Sequence, residues 1–143
     1  MLSFTAPAVT PAEALAYLTA GGATGWPSTE TDQKTAIIRG QRYIAARFNQ
    51  RWLTEWANDE APEAVKYAIC EAALAEAVKP GSLSPVSTPS TDKVLVQAGK
   101  LAWERVKGAG GPDGYVPRLS IVEGLLAGLV RSSTGGVHFL ARA

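Results

Sequence analysis

The chain has 143 residues, of which 46% are hydrophobic and 19% charged, so it is long enough for one compact core and short for two domains. Its formal net charge of +1 excludes an overall field that would draw it onto nucleic acid or an anionic membrane. The single cysteine, Cys70, excludes an intramolecular disulfide and a zinc site built on several cysteines. We expect a reducing compartment for such a chain.

The first predicted helix has a clear beginning and end. Thr10-Pro11-Ala12-Glu13 combines a capping hydroxyl, a proline at the first helical position and a glutamate three residues after the cap. The helix should run to about Ala20, where Gly21 and Gly22 end it. Its expected core contacts are Leu15, Tyr17 and Leu18.

A second helix should begin after Ser28 or Thr29, either of which can cap it. Apolar residues at helical spacing, namely Ile37, Ile44 and Phe48, predict its buried side. Arg39, Arg42 and Arg47 lie between them in the sequence and predict a basic outer face.

The third predicted helix spans Pro62–Val78 and ends at Pro80-Gly81. It is rich in alanine, which indicates a close approach to another helix. Between the second and third helices, residues 49–61 contain Trp52 and Trp56 among polar neighbours and predict no regular element.

A different pattern follows a Ser/Thr/Pro-rich loop at 81–91. Residues 93–106 alternate apolar and polar side chains around a Gly99-Lys100 turn, which predicts a β-hairpin carrying Val94, Val96, Leu101 and Trp103. A lone two-stranded ribbon is marginally stable, so we expect it to pack on the helices or to be completed by a neighbouring subunit.

The last predicted helix begins at the capping-box pattern Ser120-Ile121-Val122-Glu123 and continues through an apolar run to Val130. Thus the fold class predicted is mainly α: a compact bundle of about four helices, with a hairpin between the third and fourth, in a domain of residues 1–131. Residues 132–143 are predicted to be an extended C-terminal docking tail. No acidic residue follows Glu123, so this end is cationic. Its charge suits an acidic groove, with a solvated tail as the alternative interpretation.

The sequence predicts no enzyme, metal or cofactor, because it offers few groups for chemistry. His138 is the sole histidine and lies after a Gly-Gly hinge near the end of the chain, where a polar docking contact is the favoured reading. Cys70 lies in an apolar run and is expected to be a core residue. No stretch approaches the roughly 18 apolar residues of a membrane span and no leader pattern opens the chain, so a soluble cytoplasmic product is expected.

One alternative combines positive charge with aromatic faces, as single-stranded DNA-binding modules do. Its residues would be Arg39, Arg42, Arg47, Arg51, Trp52 and Trp56. Packing between helices is the commoner role of such tryptophans, and the near-neutral net charge also counts against the alternative.

The order of these segments resembles the head–tail connector (adaptor) proteins of tailed bacteriophages and gene transfer agents. The resemblance lies in four runs: Ala16-Tyr17-Leu18; Ala36 through Ile44; Pro62-Glu63-Ala64-Val65 leading into Glu71-Ala72-Ala73-Leu74; and Val116-Pro117-Arg118 followed by Glu123-Gly124-Leu125-Leu126. Some members of that family are described as DnaT-like single-strand DNA-binding proteins. A Trp-Pro-Arg typical of the family is replaced here by Glu55-Trp56-Ala57-Asn58.

The resemblance implies a virion protein of the neck, made in the host cytoplasm, that forms a ring of about twelve copies under the portal. Its expected partners are the portal protein, a neck (stopper) or tail-terminator protein and further copies of itself. Non-specific contact with DNA in the channel is compatible with it. The predicted docking residues are Arg131, Val137, His138, Phe139, Leu140 and Arg142, and the candidates for contacts between subunits are Arg39, Arg42, Arg47, Val94, Val96, Leu101 and Trp103.

Overall fold

The computed structural model describes residues 1–86 and 117–131, together with the backbone of two strands at 93–97 and 102–105. The helices of this part are α1 (Pro11–Ala20), α2 (Glu30–Phe48), α3 (Glu63–Val78) and α4 (Ser120–Leu125), with a short 3-10 turn at Asn58–Glu60. The mainly helical class predicted from the sequence is confirmed.

The strands β1 (Lys93–Gln97) and β2 (Ala102–Arg105) run antiparallel, with Lys93 opposite Arg105. Their side chains, and residues 87–92, 98–101 and 106–116 altogether, lie outside the described residues. The hairpin predicted at about 93–106 is therefore not established as part of the helical body and stays a prediction. The tail at 132–143 lies outside the described residues as well.

Local sequence signals account for the starts of α1 and α2. The Thr10 hydroxyl accepts from the Glu13 amide at 3.2 Å, and the Glu13 carboxylate accepts from the Thr10 amide at 2.8 Å, so the predicted capping box is confirmed. Of the two caps offered for α2, Thr29 is the one used, since its hydroxyl accepts from the Asp32 amide. Both contacts satisfy amides that the first helical turn leaves without partners.

The core is centred on the helix pair α2 and α3, and α1 and α4 pack against this pair. The alanines of α3 let the two helices approach closely, as predicted: Gly40 of α2 lies directly against the backbone of Ala72 and Ala73. The largest fully buried side chains are Phe48, Leu2, Ile37, Ile44, Ile69, Leu126, Gln41, Val9, Val65, Val122 and Cys70. Cys70 is thus a core residue, as expected.

Three predictions about the helices are wrong. Leu15 is 47% exposed, because the buried stripe of α1 is formed by Ala14 and Leu18, one turn apart. The capping box at Ser120 does not form: Leu119 is the residue before the first helical turn, and no side chain caps it. The helix also ends at Leu125, before the chain takes a positive φ at Gly128.

Candidate functional site

The chain reaches the end of its described part at a fixed exit point, Arg131. The backbone of Trp52 and Val130 forms a short antiparallel bridge, and the Arg131 amide donates to the Arg51 carbonyl at 2.8 Å. The Arg51 guanidinium also donates to the Arg131 carbonyl, from Nε at 2.9 Å and from Nη2 at 2.6 Å. Both backbone polar groups of Arg131 are therefore held, so residues 132–143 start from a defined position.

An aromatic pair lies beside this exit point. The rings of Trp52 and Trp56 are 5.1 Å apart and tilted, and the Trp52 indole N–H donates to Asn49 Oδ1 at 3.1 Å. The pair lines a surface cleft of about 570 Å³ together with Met1 and Arg131. The two tryptophans thus pack against each other, which gives them a structural role.

A second exit point is fixed at Pro117, where the described residues begin again. The Pro117 carbonyl accepts from the Tyr43 hydroxyl at 2.6 Å and from Arg47 Nη1 at 2.9 Å. Arg47 also pairs with Glu123 at 3.0 Å, and its side chain is only 16% exposed. Burial is the main cause that raises the pKa of the Tyr43 hydroxyl, which keeps it a donor to Pro117.

A third contact fixes the chain before residue 87. The Glu76 carboxylate is almost fully buried and accepts from the Gly81 amide at 2.7 Å and from the Leu83 amide at 3.4 Å. Arg39 Nη1 approaches it to 3.4 Å. A buried carboxylate is costly unless hydrogen bonds and a cation compensate it, and here both do. The loop after α3 is thereby tied to α2.

The arginines predicted to form a basic outer face thus hold chain segments in place. Arg39 pairs with Glu76, Arg47 binds Pro117, and Arg42 donates from Nε to the Phe4 carbonyl at 2.8 Å. These contacts were not foreseen, because each joins residues far apart in the sequence. A role of the three arginines between subunits stays a prediction.

The other predicted site residues lie outside the described residues. Only the backbone of Val94, Val96 and Trp103 is described, and nothing is described of Leu101. The docking residues Val137, His138, Phe139, Leu140 and Arg142 all follow the last described residue, Arg131.

A cleft between α1 and α3 was missed by sequence reasoning. The rings of Tyr17 and Tyr67 stack at 4.3 Å with an interplanar angle of 14°. The Tyr17 hydroxyl donates to Glu71 Oε1 at 3.0 Å, and the Tyr67 hydroxyl donates to Glu63. The only sequence signal for this cleft was one tyrosine on each of two amphipathic helices. Packing in the core would explain these tyrosines as well as a surface cleft does.

The thiol of Cys70 lies at the floor of this cleft. Burial raises the pKa of the Cys70 thiol to about 12, with the Glu71 and Glu13 carboxylates adding to the effect. The reactive thiolate is therefore scarce at pH 8.

We expect native Cys70 to be alkylated by iodoacetamide at pH 8 about 100-fold more slowly than in the urea-unfolded chain, because both burial and the raised pKa protect it. Mass spectrometry of samples quenched over time measures the two rates. Equal rates would contradict the description of Cys70 as a buried, protonated thiol.

Within residues 1–86 and 117–131, no group of three or more His, Cys, Asp or Glu side chains is placed to hold a metal ion. None of the described helices is both long and apolar enough to cross a membrane. No protein-family model, curated protein or solved structure matches the chain. The features that bear on function are therefore the three points at which the described chain is held, the α1–α3 cleft and the composition of residues 132–143.

Proposed function

We propose that this chain is a structural subunit, a head–tail connector that forms a ring under a portal and docks its C-terminal segment into that portal. The observation that carries the proposal is the double hold on Arg131, so that residues 132–143 start from a fixed point of the helical body. A tethered segment of this kind can bind in a cleft that a globular surface cannot enter.

The composition of the segment suits a protein groove. Val137, Phe139 and Leu140 can bury apolar surface, while Arg142 supplies positive charge with no acidic residue nearby in the sequence. Residues 132–143 can extend to about 40 Å at most, which is enough to cross from one subunit into a partner. In a ring, identical segments engage one multimeric partner, so weak single contacts add up.

The segment between residues 83 and 117 also has length to spare. Its two ends are held beside Arg39 and Arg47, which lie about 12 Å apart along α2 by helical rise. Roughly 30 residues have an extended length of about 100 Å, so a segment held at both ends can project about 50 Å from the body. This segment, with its strands β1 and β2, is therefore proposed to reach a neighbouring subunit of the ring and pair with it.

Truncation after Arg131 tests the proposal. We expect the shortened chain to keep its helical content and its unfolding midpoint, because the described core from Leu2 to Leu126 is retained. We expect it to lose binding to the portal protein encoded by the same genome, measured by co-sedimentation. A matched pair of full-length variants, Phe139→Ser and Ala141→Ser, should lose and retain binding respectively. Portal binding by the truncated chain would contradict the docking role of the segment.

Single-stranded DNA binding is the outcome that would replace the connector proposal. It is the weaker candidate because Arg42, Arg47 and Arg51 already donate to main-chain carbonyls. A labelled oligonucleotide titrated at about 50 and 200 mM salt tests it, since phosphate contacts weaken steeply over that range. Binding that falls by 10-fold or more, combined with no portal binding, would favour the DNA-binding module.

A further inference from the structure

The cleft between α1 and α3 is an open, largely apolar recess on the surface of the body. Its volume is about 590 Å³, within the range of about 300–1,000 Å³ typical of ligand clefts. Val9, Ala61 and Cys70 form a buried apolar floor, and the stacked Tyr17 and Tyr67 form a wall. Such a recess suits one or two large apolar side chains.

The rim of the cleft is acidic. Glu13 and Glu63 line it, and the hydroxyl of the wall residue Tyr17 donates to Glu71. Hydrogen bonds from Thr10 are the main cause that lowers the pKa of the Glu13 carboxyl, so it is charged at neutral pH. Lys66 is the one cation among the lining residues, and it already pairs with Glu13 at 3.3 Å. An occupant should therefore combine apolar side chains with positive charge.

The C-terminal segment of this chain has that composition. Val137, Phe139 and Leu140 alternate with or adjoin polar residues, Arg142 follows, and no carboxylate side chain occurs after Glu123. The described surface of the body thus offers a cleft whose charge and polarity complement a segment of the same chain.

The extended length of the segment is comparable with the chain distances that separate its start from the cleft. Its exit point, Arg131, lines one recess together with Trp56. Ala61 at the floor of the α1–α3 cleft follows Trp56 by five residues and so lies within about 18 Å of it. Phe139 follows Arg131 by eight residues, which extend to about 28 Å.

We propose that the α1–α3 cleft binds residues 132–143 of its own chain, with Phe139 and Leu140 on the apolar floor and Arg142 at the Glu13 and Glu63 rim. The free protein then keeps its docking segment covered, and a portal must displace it. This contact goes beyond the connector role, since it forms in the absence of any partner.

A competition experiment on the full-length chain tests the contact. The probe is a fluorescently labelled peptide of residues 132–143, and its binding is followed by anisotropy. The receptor is the chain carrying Phe139→Ser and Leu140→Ser, whose own segment is disabled. We expect the peptide to bind this receptor at least about 10-fold more tightly than it binds the wild-type chain, because a tethered segment competes at millimolar effective concentration.

Two substitutions on α1 locate the binding site. Ala16 and Ala12 are both exposed and one helical turn apart, but only Ala16 lines the cleft. In the disabled receptor, Ala16→Arg should weaken peptide binding at least about 10-fold through steric and charge effects, while Ala12→Arg should change it less than about twofold. Matching urea midpoints for the two variants establish that both are folded.

Several outcomes would overturn the proposal: no peptide binding to the disabled receptor, equal affinity for the wild-type chain, or equal effects of Ala16→Arg and Ala12→Arg. A wild-type chain that sediments as a dimer and dissociates on Phe139→Ser would overturn docking within one chain in favour of exchange between two. The experiment contains no portal protein, so its failure would not contradict the connector proposal. In the same way, a failure of portal binding would not contradict docking of the segment in the α1–α3 cleft.

Discussion

Replacing Gly40 by alanine is expected to lower the free energy of unfolding by about 2 kcal/mol or more. An added Cβ would lie 2.5 Å from the Ala73 amide nitrogen, 2.9 Å from Ala73 Cα and 3.0 Å from the Ala72 carbonyl carbon. All three are backbone atoms, so α2 and α3 must separate to make room. The resulting loss of packing outweighs the gain of about 1 kcal/mol that alanine usually gives over glycine in a helix.

Gly124→Ala in α4 is the matched control for this substitution. A Cβ at Gly124 would meet no atom of the described structure within 4 Å, so the control should be neutral or stabilising by up to about 1 kcal/mol. Urea unfolding followed by circular dichroism measures both variants. Equal free energies of unfolding for Gly40→Ala and Gly124→Ala would contradict the close contact between α2 and α3 at Gly40.

Gln41→Leu is the second substitution with a large expected effect, about 3 kcal/mol. The side chain is fully buried, and its Nε2 donates to the carbonyls of Ser3 at 2.6 Å and Ala6 at 2.8 Å. Its Oε1 accepts from the Ala8 amide at 2.7 Å. Leucine fills similar space but removes the partners of the Ser3 carbonyl and the Ala8 amide, while Asn58 Nδ2 still donates to the Ala6 carbonyl at 3.2 Å. Each group left without a partner costs about 1–3 kcal/mol when it stays buried.

We also expect Gln41→Leu to release residues 1–9 from the body, so that the Ala8 amide exchanges with solvent much faster than in the wild-type chain. Hydrogen exchange and urea unfolding measure the two effects. Gln50→Leu, at an exposed position one residue after Asn49, is the control and should change stability by less than about 0.5 kcal/mol. Equal stability of the two variants would contradict the role of Gln41 as the anchor of the N-terminal segment.

The helices could be predicted because their signals are local. Thr10 and Glu13 are three residues apart. The many alanines of α3 lie in one stretch of sequence, and they indicate a close contact with another helix. The anchoring of residues 1–9 could not be predicted, since it depends on Gln41 meeting carbonyls more than 30 positions away. A glutamine in the middle of a helical pattern ordinarily indicates the solvent-facing side.

The same distinction explains α1 and α4. Leu15 and Leu18 are equally apolar in the sequence, and the packing of α1 on α2 and α3 decides that Leu18 is buried and Leu15 exposed. At α4, the expected partner of Ser120 was Glu123, but Arg47 of α2 binds that carboxylate instead. A tertiary ion pair thus replaced a local cap.

The candidate site was predictable in part. The cationic, apolar character of residues 132–143 can be read directly from the sequence, and it motivates the connector proposal. The hold on Arg131 by Arg51 was not predictable, because these residues are 80 positions apart and neither belongs to a recognisable motif. The acidic rim of the α1–α3 cleft was not predictable either. Glu13 and Glu63 are far apart in the sequence and come together only in the folded chain.

The most direct test of the connector proposal is electron microscopy of the full-length chain mixed with the portal protein of the same genome. We expect a ring of added density at one end of the portal, centred on its axis, and no such density with the chain that ends at Arg131. Portal particles that look the same with and without the full-length chain would contradict the proposal.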